Sequence, residues 1–191
     1  MKNSLIYTID SWYILIPAFL LFLIYMIVVA VIKQKYGFGQ FVLLISFAVY
    51  FLCMIHLVFF PIEVNIGEYT NLTPWYKSIN FIPVLTIDAA TFILNIIMLV
   101  PLGMYLPLLS NKYQSIKKAA SVGLYISLSF EVTQLLIRII LGNGRSTDIN
   151  DLIANTLGAV LGFLIIREMS KISFVYHILQ GLSLGKRMER S

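Results

Sequence analysis

The chain has 191 residues, of which 59% are hydrophobic and 12% are charged, and its mean hydropathy is +0.88. An ordinary soluble domain has roughly 45–50% apolar and about 25% charged residues. This composition excludes a soluble enzyme or binding domain and predicts a protein embedded in a membrane. The single cysteine, Cys53, also excludes an intrachain disulfide and a cysteine-rich metal site.

Five stretches of roughly twenty residues are nearly free of charge, which is the length that crosses a hydrocarbon core of about 30 Å. We expect transmembrane helices at residues 12–32, 41–60, 88–109 and 119–141, and a fifth that follows the turn 142–150 and ends near residue 166. Pro61 is expected to end the second helix, with residues 62–87 lying along the membrane surface. The predicted fold class is an all-α membrane protein with five transmembrane helices.

The basic residues are concentrated in alternate connections between these helices. One set comprises Lys33, Lys35, Lys112, Lys117, Lys118, Arg167, Lys171, Lys186, Arg187 and Arg190. The opposite connections hold Lys2, Lys77 and Arg145, while Arg138 lies inside the fourth helix. By the positive-inside rule this pattern predicts an outside N-terminus and a cytoplasmic C-terminus. The net charge of +5 therefore reflects topology and membrane lipids, and no nucleic-acid partner is expected.

Three of the predicted helices carry polar residues at the spacing of one helix face. They are Ser127, Glu131, Gln134 and Arg138 on the fourth helix, Asp88, Thr91 and Asn95 on the third, and Asp148, Asp151 and Asn155 on the fifth. Amide and carboxylate groups are unfavourable against lipid tails. We therefore predict that the three faces enclose one polar pocket that opens toward the outside.

Several of these residues have a purely structural alternative. Asp88 and Asp148 could each cap the start of a helix, where the backbone N–H groups favour a carboxylate. Arg138 could extend to the outer headgroups. Asn95 and Asn155 could hold helices together through hydrogen bonds.

For Glu131 the functional interpretation is stronger. A carboxylate near the middle of the membrane requires either a proton or a partner, and Arg138 or Arg145 is within plausible reach. The burial of Glu131 would raise its pKa and a nearby arginine would lower it, so the sequence does not fix its protonation state.

Several short motifs follow one another in a characteristic order. They are Asn80-Phe81-Ile82-Pro83, Asn95, Val100-Pro101-Leu102-Gly103, Glu131-x-x-Gln134, Arg145-x-x-Asp148-x-Asn150-Asp151 and Asn155-Thr156-Leu157-Gly158. Over residues 79–163 this order resembles the VanZ-like family of bacterial membrane proteins. The resemblance implies a multi-pass protein of the bacterial plasma membrane, and some family members are linked to resistance against teicoplanin-type lipoglycopeptides.

The chain is accordingly divided into three parts. Residues 1–78 hold two N-terminal helices and the surface segment, residues 79–166 form a VanZ-like core of three helices, and residues 167–191 form a basic cytoplasmic tail. We expect the tail to be an amphipathic helix on anionic lipid.

The first functional hypothesis is binding of an amphiphile, namely a lipid, a lipid-linked envelope precursor or a lipoglycopeptide. The candidate binding residues are Asn95, Glu131, Gln134, Arg138, Arg145, Asp148, Asp151 and Asn155, with the arginines holding phosphate or carboxylate.

The alternative is an enzyme that modifies an envelope lipid. In it Glu131 acts as general acid or base, while Asp148 and Asp151 hold Mg²⁺ or orient a nucleophile. No other cofactor is expected. A further alternative is ion or proton transport through Glu131, for which the sequence shows no clear inverted repeat.

Overall fold

The computed structural model describes residues 4–185, and five of its helices are long and apolar enough to cross a membrane. They are α1 (Trp12–Ile27, continued by a π-helical turn at Val28–Ile32), α2 (Phe38–Phe59), α3 (Ala89–Leu109), α4 (Ile116–Leu141) and α5 (Ile149–Met169). The predicted fold class and its five spans are confirmed, with helix ends displaced by a few residues. Four residues of the charge pattern, Lys2, Lys186, Arg187 and Arg190, lie outside the described residues.

Side-chain caps fix where three of these helices begin. Asp88, Ser115 and Asp148 each accept a hydrogen bond from a backbone N–H in the first turn of α3, α4 and α5, respectively. The capping interpretation of the two aspartates is therefore confirmed. Gly142 ends α4 with φ +66°, a left-handed conformation that favours glycine.

Helix α3 packs directly against α5, and glycines allow this approach. A Cβ added to Gly162 would lie 1.9 Å from the carbonyl oxygen of Val100, and one added to Gly158 would lie 2.3 Å from that of Ile96. Small residues at such positions let two helix backbones pack directly against each other in a membrane. This contact brings the polar faces of α3 and α5 together.

Two short strand pairs, which the sequence did not predict, lie at one end of the bundle. Strand β1 (Leu5–Ile9) pairs antiparallel with β2 (Ile62–Ile66), and β3 (Ile79–Asn80) pairs parallel with β4 (Thr147–Asp148). Residues 62–87 are therefore partly strand-paired. We call the end of the bundle that holds the two strand pairs the ribbon end. Helices α2 and α4 end there, and α3 and α5 begin there.

A sixth helix, α6 (Ser173–Leu182), lies at the opposite end, which we call the α6 end. It is tied to α2 and α3, because Gln40 donates to the carbonyl of Ser183 at 3.0 Å and the N–H of Leu184 donates to the carbonyl of Leu108 at 2.9 Å. The tail thus contains the predicted helix. Contact of that helix with anionic lipid stays a prediction.

Candidate functional site

A cavity of about 400 Å³ lies among α2, α3, α4 and α5 near the ribbon end. We call it the polar cavity. Its polar lining residues are Thr91, Asn95, Glu131, Gln134, Arg145, Asp151 and Asn155, and its apolar ones are Leu57, Val58, Leu94, Ile97, Met98 and Phe130. Six of the eight predicted binding residues therefore share one cavity, and the other two, Arg138 and Asp148, do not line it.

Glu131 lies on α4 in the wall of the cavity and is only 4% exposed. One of its carboxylate oxygens, Oε2, accepts a hydrogen bond from the backbone N–H of Asp148 at 3.0 Å. In residues 4–185 no lysine or arginine nitrogen lies within 4 Å of this carboxylate. The expected pairing of Glu131 with Arg138 or Arg145 is therefore not formed, and a backbone group at the start of α5 takes that place.

Two asparagines connect α3, α4 and α5 across the cavity floor. Asn95 donates through Nδ2 to Asp151 Oδ1 at 2.6 Å, and Asn155 donates through Nδ2 to Ser127 Oγ at 2.9 Å. Ser127 in turn donates to the carbonyl of Asp151 at 3.4 Å. Among the described residues, the remaining amide oxygen of Asn155 is buried without a hydrogen-bond partner.

Gln134 and Arg145 converge on the last turn of α2. Pro61 cannot donate an N–H, and the helix ends at Phe59, so carbonyl groups there need other donors. The carbonyl of Val58 accepts from Gln134 Nε2 at 3.0 Å and from Arg145 Nη1, and that of Pro61 accepts from Arg145 Nη2 at 3.4 Å. Both residues therefore cap α2 while they line the cavity.

The guanidinium of Arg145 lies in the loop between α4 and α5, half-buried beside Glu63. Burial lowers the pKa of Arg145 from its ordinary value, and the negative charge of Glu63 acts in the opposite direction. Because the ordinary pKa of arginine is so high, the group keeps its charge at neutral pH.

Arg138 faces the loops at the ribbon end. It is 6% exposed, and its Nη1 and Nη2 donate to the carbonyls of Arg145 at 2.8 Å and Thr73 at 3.5 Å. The alternative in which Arg138 extends to the outer headgroups is therefore not observed. Asp148 is engaged on both oxygens, since it caps α5 through Oδ1 and accepts from Asn80 at 3.0 Å through Oδ2.

Comparison of the sequence with known proteins identifies the family of this chain. The sequence profile of the VanZ/LLP1 family matches residues 47–173. The chain belongs to this family. Protein VanZ of Enterococcus faecium is 34% identical over 122 residues, which are 60% of this chain and 67% of that protein. No solved structure matches.

The VanZ/LLP1 match extends from within α2 to the first residue of α6 and contains every residue of the polar cavity. It also contains a network that helical spacing did not reveal. Asn150, almost fully buried, accepts through Oδ1 from the backbone N–H of Val84 at 2.9 Å and donates through Nδ2 to Thr86 at 3.2 Å, while Asn80 donates to Thr86 and Asp148. Asn80 and Asn150 belong to the short motifs that resemble the VanZ-like family. Those motifs were the sequence signal that pointed to these two residues.

A second cavity, of about 220 Å³, lies behind Glu131 and is lined mainly by apolar residues of α4, α5 and the strand pair β3–β4. Glu131 is therefore positioned between two cavities in this VanZ/LLP1 family member. Within residues 4–185, no three His, Cys, Asp or Glu side chains are grouped closely enough to hold a metal ion. Mg²⁺ binding by Asp148 and Asp151 stays a prediction of the enzyme alternative; Asp151 faces the polar cavity and Asp148 does not line it.

Proposed function

We propose that this protein binds an amphiphile of the bacterial cell envelope in the polar cavity and thereby lowers the action of teicoplanin-type antibiotics. The observation that carries the proposal is the two-part lining of the cavity, with carboxylate and amide groups on its floor and exposed apolar side chains at its rim. An amphiphile has the same two parts.

The rim favours entry from the lipid phase. Leu57, Leu94 and Ile97 line the cavity, and each is more than half exposed in the isolated chain. Such side chains on transmembrane helices face lipid tails. An acyl chain lying along α2 and α3 would therefore place its headgroup among Glu131 and the asparagines without leaving the bilayer.

The charge distribution supports an outward-facing cavity in the plasma membrane. At the α6 end the described basic residues are Lys33, Lys35, Lys112, Lys117, Lys118, Arg167 and Lys171, whereas Lys77, Arg138 and Arg145 lie at the ribbon end. The positive-inside rule then favours a cytoplasmic α6 end and an outer ribbon end. A ligand or drug at the cell surface would reach the cavity from that side.

A susceptibility measurement tests the proposal. The wild type and Glu131→Ala are produced at matched membrane levels in a susceptible Gram-positive host, and the inhibitory concentrations of teicoplanin and vancomycin are measured side by side. We expect the wild type to raise the teicoplanin value more than the vancomycin value, and Glu131→Ala to return it to the level of cells without the protein.

Glu168→Ala is the matched control, because Glu168 is exposed at the far end of α5 and pairs with Lys171. It is expected to protect like the wild type. Glu131→Gln retains an oxygen for the N–H of Asp148 and separates loss of the carboxylate from loss of folding. Equal susceptibility with and without the wild-type protein would contradict the proposal.

Catalysis on an envelope lipid is the second candidate, and the position of Glu131 favours it. A buried carboxylate with one uncommitted oxygen between two cavities is suited to proton transfer as a general acid or base. Comparing the membrane lipids of cells that carry wild type and Glu131→Gln tests this. A lipid species that changes only with the wild type would favour the enzyme over a binding protein.

A further inference from the structure

Each of the three cavity amides directs one N–H toward an acceptor inside the protein. Asn95 donates to Asp151 at 2.6 Å, Gln134 to the carbonyl of Val58 at 3.0 Å, and Asn155 to Ser127 at 2.9 Å. In each case one of the two N–H donors of the NH₂ group is engaged. The amide oxygens of the three residues accept no hydrogen bond within residues 4–185.

The chemistry of the partners fixes these amide orientations. A carboxylate such as Asp151 and a carbonyl such as that of Val58 can only accept, so the nitrogen of Asn95 and that of Gln134 must face them. Ser127 gives its own hydrogen to the carbonyl of Asp151 and therefore accepts from Asn155. Each amide therefore keeps one N–H and its oxygen, and within residues 4–185 the oxygen is the atom that has no hydrogen bond at all.

The carboxylates add further acceptors to the same space. Glu131 uses one oxygen for the N–H of Asp148, and Asp151 uses one for Asn95, which leaves one uncommitted oxygen on each within residues 4–185. Asn155 is only 3% exposed, yet its Oδ1 has no hydrogen-bond partner in the part of the chain that the structure describes. A buried acceptor without a donor is unfavourable and rare in folded proteins, so this atom independently indicates a donor that a ligand brings.

Among the residues that the structure describes, Arg145 is the one cation that lines the polar cavity, and two of its five N–H donors are used elsewhere. Two of its nitrogens donate to the carbonyls of Val58 and Pro61 at the end of α2, and Glu63 lies close enough to offset its charge. The cavity lining thus contains two carboxyl groups, those of Glu131 and Asp151, and one guanidinium group, which already donates to the end of α2. Within residues 4–185 neither Glu131 nor Asp151 has a lysine or arginine partner within 4 Å, and Asn155 Oδ1 has no donor, so a cationic donor fits this cavity better than an anionic acceptor.

We infer that the headgroup bound in the polar cavity is a primary ammonium group, held by Glu131, Asp151 and the amide oxygen of Asn155. This inference rests on the proposed function in one respect, the binding of an amphiphile. It differs from the sequence-based expectation that the arginines would hold phosphate or carboxylate. A primary ammonium carries a positive charge and three donors, which matches several uncommitted oxygens.

Three probes with one tail and different heads test the inference. The full chain is placed in lipid nanodiscs, and binding of octylammonium, octyltrimethylammonium and octyl phosphate is measured by calorimetry, with empty nanodiscs as the blank. We expect octylammonium to bind about tenfold or more tightly than the other two, since the trimethyl head has the charge without N–H donors and the phosphate has the opposite charge.

Glu131→Gln and Asp151→Asn each replace an uncommitted carboxylate oxygen by an NH₂ donor. The amide oxygen that remains can still accept from the N–H of Asp148 in the first variant and from Asn95 in the second. Each is expected to reduce octylammonium binding about tenfold or more. Asp88→Asn is the matched control, because it makes the same charge change at the ribbon end outside the cavity lining and asparagine also caps helices. It should bind like the wild type.

Preferential binding of octyl phosphate, or equal binding of the two cationic probes, would overturn the ammonium assignment. Displacement of octylammonium by millimolar Mg²⁺ or Ca²⁺ would identify a metal site instead and would also overturn it. If one of these contrary binding results is found together with Glu131-dependent protection against teicoplanin, the proposed function stands and only the assignment of an ammonium headgroup is rejected. If no probe binds and Glu131→Ala protects like the wild type, the proposed function itself fails.

Discussion

Individual polar residues of the bundle serve the backbone and the cavity at once. Gln134 caps α2 through its nitrogen and lines the cavity, and Asn95 joins α3 to α5 through its nitrogen and lines the same cavity. Helical spacing was sufficient to predict that these residues share a space. It could not predict the direction of their amides, since the acceptor for Gln134 is a carbonyl 76 residues earlier in the chain.

Asp88 provides a residue-scale prediction with a defined pH dependence. Hydrogen bonds from the hydroxyl and the N–H of Thr91 lower the pKa of Asp88 from its ordinary value. A lowered pKa in the folded state means that the ionised carboxylate stabilises the fold above the ordinary pKa, and that this contribution is lost as pH falls through the lowered value.

We therefore expect wild type to unfold at a higher temperature than Asp88→Ala at pH 7, with the difference shrinking as pH falls below about 4. Thermal unfolding in detergent across this range provides the measurement. Because every other carboxylate titrates equally in both proteins, the difference between them isolates Asp88. A gap that stays constant down to about pH 2 would argue against this role.

At the scale of elements, the contact of α3 with α5 depends on missing side chains. Gly162→Ala would place a methyl group against the carbonyl of Val100, where a Cβ would lie at 1.9 Å, so the two helices would have to separate. Overpacking of this kind costs about 1–3 kcal/mol, and we expect a lower unfolding temperature and a lower yield of folded protein.

Gly181→Ala is the control for this change, because a Cβ there would meet nothing within 4 Å and the residue also lies in a helix. It should unfold like the wild type or at a slightly higher temperature, since alanine favours helix. Similar losses in both variants would show that close approach of α3 and α5 is not what Gly162 provides.

The helices were predictable and the strands were not, for one physical reason. A transmembrane helix satisfies its hydrogen bonds within its own segment, so composition and length reveal it. The strand pair β1–β2 joins segments more than fifty residues apart, and the loop at residues 80–86 is held by Asn150 from another element. Such pairings depend on the assembled bundle and leave little local signal.

For the whole molecule, the uneven distribution of lysine and arginine between the two ends makes a prediction about orientation. Single cysteines are introduced as Leu72→Cys at the ribbon end and Lys112→Cys at the other, both exposed, in a Cys53→Ser background. With an impermeant maleimide on intact cells, we expect Leu72→Cys to be labelled and Lys112→Cys to be labelled only after permeabilisation.

Labelling in the reverse order would place the polar cavity toward the cytoplasm. A ligand at the cell surface could then not reach it directly, and the proposed link to lipoglycopeptides would lose its physical basis. Unchanged teicoplanin susceptibility of the two cysteine variants relative to the Cys53→Ser parent verifies that the labelled proteins are functional.

The shared acceptor at Val58 also has a consequence for biogenesis. Its carbonyl receives hydrogen bonds from Gln134 and Arg145, which are synthesised 76 and 87 residues later. An unpaired carbonyl is unfavourable inside a bilayer, and chains assemble from the N-terminus as they emerge. The end of α2 therefore reaches its final state only after the loop beyond α4 has been made, so the wall of the cavity is among the last parts of the bundle to be completed.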